Sequence, residues 1–463
     1  MRVLGFVGKP QRGYSGLVNS ETPTPPTPRF RKAPTPASHR VETIQIPGIF
    51  KVPGISKRLG GSLALPVQAL WVFVVIVSVL VWNYDGLASD KKNAFVLKVE
   101  KPSKTSWASF RNGHLQQGIA TSSLPPKLEL LWKKEIPDGV VTASAIVGSY
   151  VYVPGLNGML YCLDRKTGKE LWKYRSIKNP DPMEFAPGFK AAPTVTEDTV
   201  YLGDEDGLIH AVWRKNGKKK WIFKTDGEIA GGAAIVDGRL IVGSHDSFLY
   251  CIDAKNGKLV WKFQTQNRVN CSAGIADHYT FVAGCDAHVR VIDIKKGKEK
   301  SDIPLSSFLI ASPAILGDML YVGTQDSQVV ALNWKTEKIV WIYHDPKREQ
   351  PYHASSAVTD KYVIVAGHDK QLHCIDRKTG KRVWVFQTRA QIDSSPVVVG
   401  KRIFFGSNDH NIYAVSLASG KQIWKFVTKG YVSSSPAVGE GCLVIGCEGS
   451  KGMVYCFGKK EKK

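Results

Sequence analysis

From about residue 128 onward the chain repeats one pattern of apolar and polar positions with a period of about forty residues. Each unit opens on small residues and continues as an apolar run ending in Gly. It then turns through a polar stretch with Asp, runs apolar again, and closes on Asp-x-x-Thr/Asn-Gly-Lys followed by Trp. Stretches such as Tyr201 to Gly203 and Leu320 to Gly323 fit half-buried strands, and Asp206, Asp246 and Asp326 open Asp-Gly or Asp-Ser pairs suited to hairpin turns. In Asp164-Arg-Lys-Thr-Gly168-Lys the carboxylate can bond the turn backbone while Gly supplies positive φ. Such units cannot bury their faces alone, so only a closed stack of them makes a core.

Eight first strands are expected, at 142–147, 190–195, 230–235, 270–275, 310–315, 353–358, 393–398 and 433–438. The outer strands carry Trp172, Trp221, Trp261, Trp341, Trp384 and Trp424, with Ser301 in the fourth unit. Each Trp is expected to pack against the next unit. The eighth unit stops at Phe457, before its outer strand, and the orphan strand Leu128 to Ile136 with Trp132 has the composition of the missing piece. It is expected to close the ring, which removes exposed strand edges.

The pattern Asp-x-x-Thr-Gly-Lys-x-x-Trp, as in Asp164 to Trp172 and Asp376 to Trp384, is similar to the tryptophan-docking repeat of quinoprotein (PQQ-like) eight-bladed propellers. The stretch Trp107-Ala-Ser-Phe110-Arg111-Asn-Gly113, with Gly118, resembles the lead-in of compact bacterial members. The resemblance covers roughly residues 105 to 458 and implies an all-β, eight-bladed PQQ-like β-propeller over 128–458. The family includes dehydrogenases that hold pyrroloquinoline quinone (PQQ) and scaffolds, such as the BamB family, that bind only proteins.

The rest of the chain differs in kind. Residues 1–62, centred on Thr22-Pro-Thr-Pro-Pro-Thr-Pro28, are basic, rich in Pro and Thr, and expected to be disordered. Within 63–84, Ala64 to Trp82 is nearly uncharged and long enough to cross a hydrocarbon layer of about 30 Å. Ten Lys or Arg against two Glu precede it, which favours a cytoplasmic N-terminus and an exported propeller. Cleavage as a signal peptide near Gly86-Leu-Ala88 is the competing reading, against which stands the length of the segment before the apolar run. Residues 85–127 read as linker and lead-in, and 459–463 as a basic tail. No Cys precedes Cys162, so the lipid anchor of the BamB family is absent from this segment and the helix would replace it.

Of eight cysteines, Cys162, Cys251, Cys374 and Cys456 share a repeat column with Ala211, Val291, Ala331 and Ala414, as small packing residues do. Cys271 falls among Ala, Gly and Ser, which leaves Cys285, Cys442 and Cys447 as candidates for bonding or reactivity. The formal net charge is +23. Basic residues crowd the loops before the outer strands, such as Arg214, Lys215, Lys218, Lys219 and Lys220. The opposite turns carry Asp204, Asp206, Asp246, Asp286, Asp326, Asp369 and Asp409. A basic face and an acidic face are therefore expected, the former either a solvated surface or a seat for an anionic polymer or lipid. With no aromatic stacking sequence beside the lysines, nucleic acid is not an expected partner.

Catalytic or binding residues break a repeat's symmetry. In the first column of the inner strand, most units hold small or apolar residues, but Lys190, Asn270, His353 and Asp393 do not. The resemblance places the quinone of related enzymes at this channel mouth, held with Ca²⁺ by Glu, Asn and Asp beside a second, basic Asp and under a vicinal disulfide. Asn270 and Asp393 alone do not meet the six to eight oxygens calcium takes, and no vicinal Cys pair occurs. His245, His288, His368, His373 and His410 scatter over the units without metal-ligand spacing. No heme-attachment, nucleophile-elbow, phosphate-loop or zinc-protease motif is present.

The reading is an inner-membrane, single-pass protein with a periplasmic propeller, acting as a protein-binding scaffold or assembly factor of the cell envelope. Its partners would be envelope proteins, with no cofactor expected. A PQQ-dependent dehydrogenase using Ca²⁺ and a periplasmic ligand sensor are the alternatives.

Overall fold

A computed structural model of the protein describes residues 97 and 99–460, apart from 180, 182 and 183. The expected Pro-rich tail, apolar helix and last three residues lie outside these. No helix among the described residues is long and apolar enough to cross a membrane.

Thirty-two described strands form eight four-stranded antiparallel sheets, the blades of a closed ring. Blades 1 to 7 run over residues 145–175, 194–224, 234–264, 274–304, 314–344, 357–387 and 397–427. Blade 8 takes three strands from 437–458 and its outer strand from Glu129–Glu135 at the other end of the chain. The register of that closure places Trp132 opposite Cys456.

This pairing explains the cysteine column. The small residue of each third strand lies directly across from the outer-strand Trp: Cys162 from Trp172, Cys251 from Trp261 and Cys374 from Trp384. All four column cysteines are fully buried. A bulge beside each such pair re-aims the outer strand, and the indole leans onto the following blade. There its N–H donates to a loop carbonyl, as from Trp132 to Arg165 (2.8 Å), Trp172 to Arg214 (2.8 Å) and Trp341 to Arg377 (2.9 Å). The ring face lies on the loop glycine. A Cβ on Gly168, Gly217, Gly257, Gly297, Gly380 or Gly420 would stand 2.5–2.8 Å from the indole, and each of these glycines has positive φ, so both packing and backbone demand Gly.

Two interfaces depart from the rule. Trp424 faces blade 8, whose corresponding loop is the gap between the chain's two ends. It packs on the next blade as expected, but edge-on against Phe457 at 5.2 Å and not on a loop glycine. Between blades 4 and 5, Ser301 replaces Trp and donates to Glu337 at 2.6 Å, and Glu337 occupies the glycine position with φ 61°. Trp334 of blade 5 reaches back the other way onto Phe281 of blade 4, at 5.0 Å between ring centres, and is buried. The aromatic filler is conserved in this interface while its direction is reversed.

The inner strands are shorter than expected, for instance Thr194–Val195 and Val397–Val399. The residues before them bond sideways. The N–H groups of Gly232, Ser272, Ser312, Ser355 and Ser395 donate to the hydroxyls of Ser272, Ser312, Ser355, Ser395 and Ser435 in the next blade, at 2.8–3.0 Å. Backbone groups that would have extended the sheet thus form a hydrogen-bonded belt around the channel from blade 3 to blade 8.

The turn aspartates do not make the expected acidic face, since most of them are turned inward. Asp204 and Asp369 are buried and bond His210 and His373 at 2.8 Å, each imidazole being shared with a tyrosine. Asp286 holds Arg290, while Asp246 and Asp409 accept from Tyr250 and Tyr413. These carboxylates close turns and satisfy third-strand side chains, and only Asp206 and Asp326 of the set are exposed. The basic loops do gather on the other face, laced with acids as in Lys335 to Asp318 at 2.8 Å.

Trp132→Ala removes a buried indole at the only blade closed by both chain ends, and a loss of about 3–5 kcal/mol is expected in equilibrium denaturation. Ser301→Trp should lower the melting temperature, because the ring would meet both the Cβ of Glu337 and the space Trp334 already fills, and adding Glu337→Gly should recover only part of the loss in the same thermal scan.

Candidate functional site at the channel mouth

The lead-in segment determines which end of the channel is open. Trp107 pairs with Ile146 of blade 1. Beyond it the carbonyls of Ala108, His114, Leu115, Gln117 and Gly118 accept from Val195, Ile275, Ile315, Val358 and Val398 in blades 2, 4, 5, 6 and 7. The chain thereby crosses the channel at the far ends of the inner strands. At its centre Arg111 is buried and donates to the carbonyls of Pro396 (2.7 Å) and Ser356 (2.6 Å), and burial without a carboxylate holds its guanidinium down to about 9. Gly118 must be Gly, since a Cβ would overlap that guanidinium. The approach is clamped at Glu440, which accepts from Ser103 (2.9 Å), Thr105 (2.9 Å) and Ser106 (2.7 Å).

The other end is a cup of about 380 Å³ that Phe110 lines together with the serine belt. Lys190, Asn270, His353 and Asp393 all line it, as expected from their column. Each meets the turn residue fifteen positions later in its own blade, and His353 and Asp393 also meet that of the preceding blade. Lys190 pairs with Glu205 (2.9 Å) and Glu228 (3.2 Å). Asn270 donates to the thiol of Cys285 at 2.8 Å. Asp393 accepts from Asn408 (2.7 Å) and from His368 (2.6 Å), and His353 bonds Gln325 (2.7 Å) with its ring 4.3 Å from that of His368.

The column Glu205, Cys285, Gln325, His368 and Asn408 was not recognised as part of the site from sequence. Its signal was the residue directly before the turn Asp or its equivalent, variable in every unit. His353, His368 and Asp393, which sequence spacing gave no reason to group, offer ligand atoms all within 4.8 Å of one another. Burial and then the adjacent His368 hold His353 below the ordinary histidine value, against the pull of Asp393. For Asp393 burial acts upward, but the hydrogen bond and charge of His368 outweigh it and leave the carboxyl below its usual range. Of the thiols singled out, Cys285 is half-buried and Cys442 and Cys447 are buried, and all three are free.

Among solved structures the ring is similar to BamB from Moraxella catarrhalis, with 15% identity, TM-score 0.61, and coverage of 72% of this chain and 100% of that one. It is also similar to the quinohemoprotein alcohol dehydrogenase from Comamonas testosteroni, with 14% identity, TM-score 0.62, and coverage of 78% and 82%. A search among curated proteins finds no match. The family model described as "Beta-alanine-activating enzyme, beta-propeller" matches residues 188–462, more than half of the chain. The chain belongs to this β-propeller family. Its fold is the PQQ-like propeller shared with BamB and the quinoprotein dehydrogenases.

The cup does not suit PQQ with Ca²⁺. The ligand's carboxylates would need free cations, yet the one lysine lining the cup is already held by two glutamates. Asn270 and Asp393 stand three blades apart, each engaged locally, which is no oxygen cage for calcium.

Glu440 gives a pH test of the lead-in. Burial acts to raise its carboxyl, and the three hydroxyl donors carry it net below the ordinary value. Its contribution is present above the unfolded value of about 4.3 and is lost as pH falls through the lower folded value. Amide exchange in Trp107 to Gly118 should accelerate, relative to the blade strands, between about pH 6 and about pH 3. In Glu440→Gln the fast exchange should already be present at the upper pH.

Proposed function

We propose that this chain is a membrane-tethered propeller of a bacterial cell envelope that binds other proteins at the open face of its ring. The observation that carries this reading is the path of the lead-in. It approaches beside the basic loops, where the N–H of Leu97 donates to Lys215 (2.8 Å) and Arg214 to Glu100 (2.7 Å), and it crosses the channel on that face. A tether preceding residue 97 would therefore present the opposite face to the envelope space, with the basic loops toward anionic headgroups.

The open face has aromatic anchors of the kind that dominate protein interfaces. Phe185 (77% exposed), Tyr431 (55%) and Phe308 (54%) stand on connections into blades 2, 8 and 5. Near Phe185, Arg175 donates to the carbonyls of Asp181 and Glu184 at 2.5 Å. BamB, similar in fold, supports a scaffold role by analogy alone.

A photo-crosslinking residue placed at Phe185, Phe308 or Tyr431 of the full chain in its native cells should yield discrete protein adducts, and one at Lys255 on the basic loops should not. Adducts absent from all three open-face positions would overturn the reading. Stoichiometric binding of PQQ with Ca²⁺ by the full chain would replace it with the dehydrogenase alternative.

A further inference from the structure

We infer that His353, His368 and Asp393 form a site for a divalent transition metal of the zinc type at the rim of the cup. The donor set is two imidazoles and one carboxylate, which suits zinc and its neighbours and not the hard, oxygen-seeking calcium. The three ligand atoms lie within 4.8 Å of one another. A tetrahedral ion with bonds of about 2.0–2.2 Å needs them about 3.5 Å apart, a change within reach of side-chain rotation.

Comparison with the other Asp–His pairs shows why this one is different. His210 and His373 are fully buried, and each uses both ring nitrogens, one toward Asp and one toward a Tyr hydroxyl. Neither has a lone pair to offer an ion. At the rim, His353 bonds Gln325 through Nε2 and His368 bonds Asp393 through Nε2, with no hydrogen bond at either Nδ1 among the described residues. Since the Gln325 oxygen can only accept, His353 carries its proton on Nε2 and presents Nδ1 as a lone pair. A metal-ligating histidine is oriented in the same way, by donating its other N–H to a fixed acceptor. The 2.6 Å contact of His368 with Asp393 is spanned by one proton, which a metal ion would displace as both groups become ligands.

The surroundings hold this set in place. Asn408 donates to the second oxygen of Asp393 at 2.7 Å. Backbone bonds from His368 to Pro351 (3.0 Å) and from Ile392 to Gly367 (3.2 Å) tie together the turn and the two strand starts. Three protein ligands leave a coordination position open, and His353 and Asp393 both line the cup. The exchangeable ligand would be water or an anionic oxygen, such as the carboxylate of a small molecule or of a partner's side chain. This inference does not depend on the partner reading, because a metal-free rim would leave the crosslinking result unchanged.

The test uses the full chain, purified in detergent and stripped of metal. Zinc titrated in competition with a chromophoric chelator should bind at one equivalent per chain, and cobalt(II) should develop the visible bands of a low-coordinate site. His353→Ala, His368→Ala and Asp393→Asn should each weaken zinc at least about ten-fold, and Asn408→Ala by less. His245→Ala, a mouth histidine outside the set, should bind as the parent does. Zinc should raise the melting temperature of the parent and not of the His353→Ala/His368→Ala double variant, whose metal-free melting reports whether it folds. Absence of the cobalt bands in the parent, or equal zinc affinity in the double variant, would overturn the inference.

Discussion

The ring exists because one blade's indole is another blade's core. The outer-strand Trp has a small residue opposite it in its own blade and a positive-φ glycine in the next, so three positions in two repeats are chosen together. Neither blade can satisfy this alone, and only closure gives every indole a partner. The last blade is completed by the first strand of the domain, so the chain ends hold each other and no sheet edge is left exposed at the seam. The belt of serine hydroxyls adds a polar counterpart nearer the axis, tying each inner strand start to the next.

A rigid ring of this kind leaves two places free to vary. One is the channel, where the belt has already satisfied the backbone, so the residues above it are released from structural duty. Polar groups accumulate there in clusters within and between blades: a lysine held by two glutamates, an amide on a thiol, and an aspartate with two histidines. The other is the set of outer-to-inner connections, which carry exposed aromatics on the same face. The lead-in makes the two ends of the channel unequal by sealing the opposite end with a buried arginine and a phenylalanine.

The interface between blades 4 and 5 shows what the constraint permits. Ser301 and Glu337 changed together from the Trp and Gly of their columns, and Trp334 fills the space from the other side. What is retained is an aromatic volume between blades and a hydrogen bond across them, not a particular residue at a particular position.

The repeat, the closing strand, the cysteine column and the place of the first-column polar residues at the channel mouth could be read from the sequence, because each is local or periodic: a fixed spacing assigns every residue to a column, and a column to a depth in the blade. Strand starts, the role of the turn aspartates and the fate of Trp424 could not, since each depends on what the adjacent blade offers at that level. The same holds for the rim cluster. His368 and Asp393 are 25 residues apart and in different units, and only the curvature of the ring, which turns two columns of neighbouring blades toward one axis, brings Asp393 beside both His368 and His353. Period and composition determined the blades; closure of the ring decided which side chains meet.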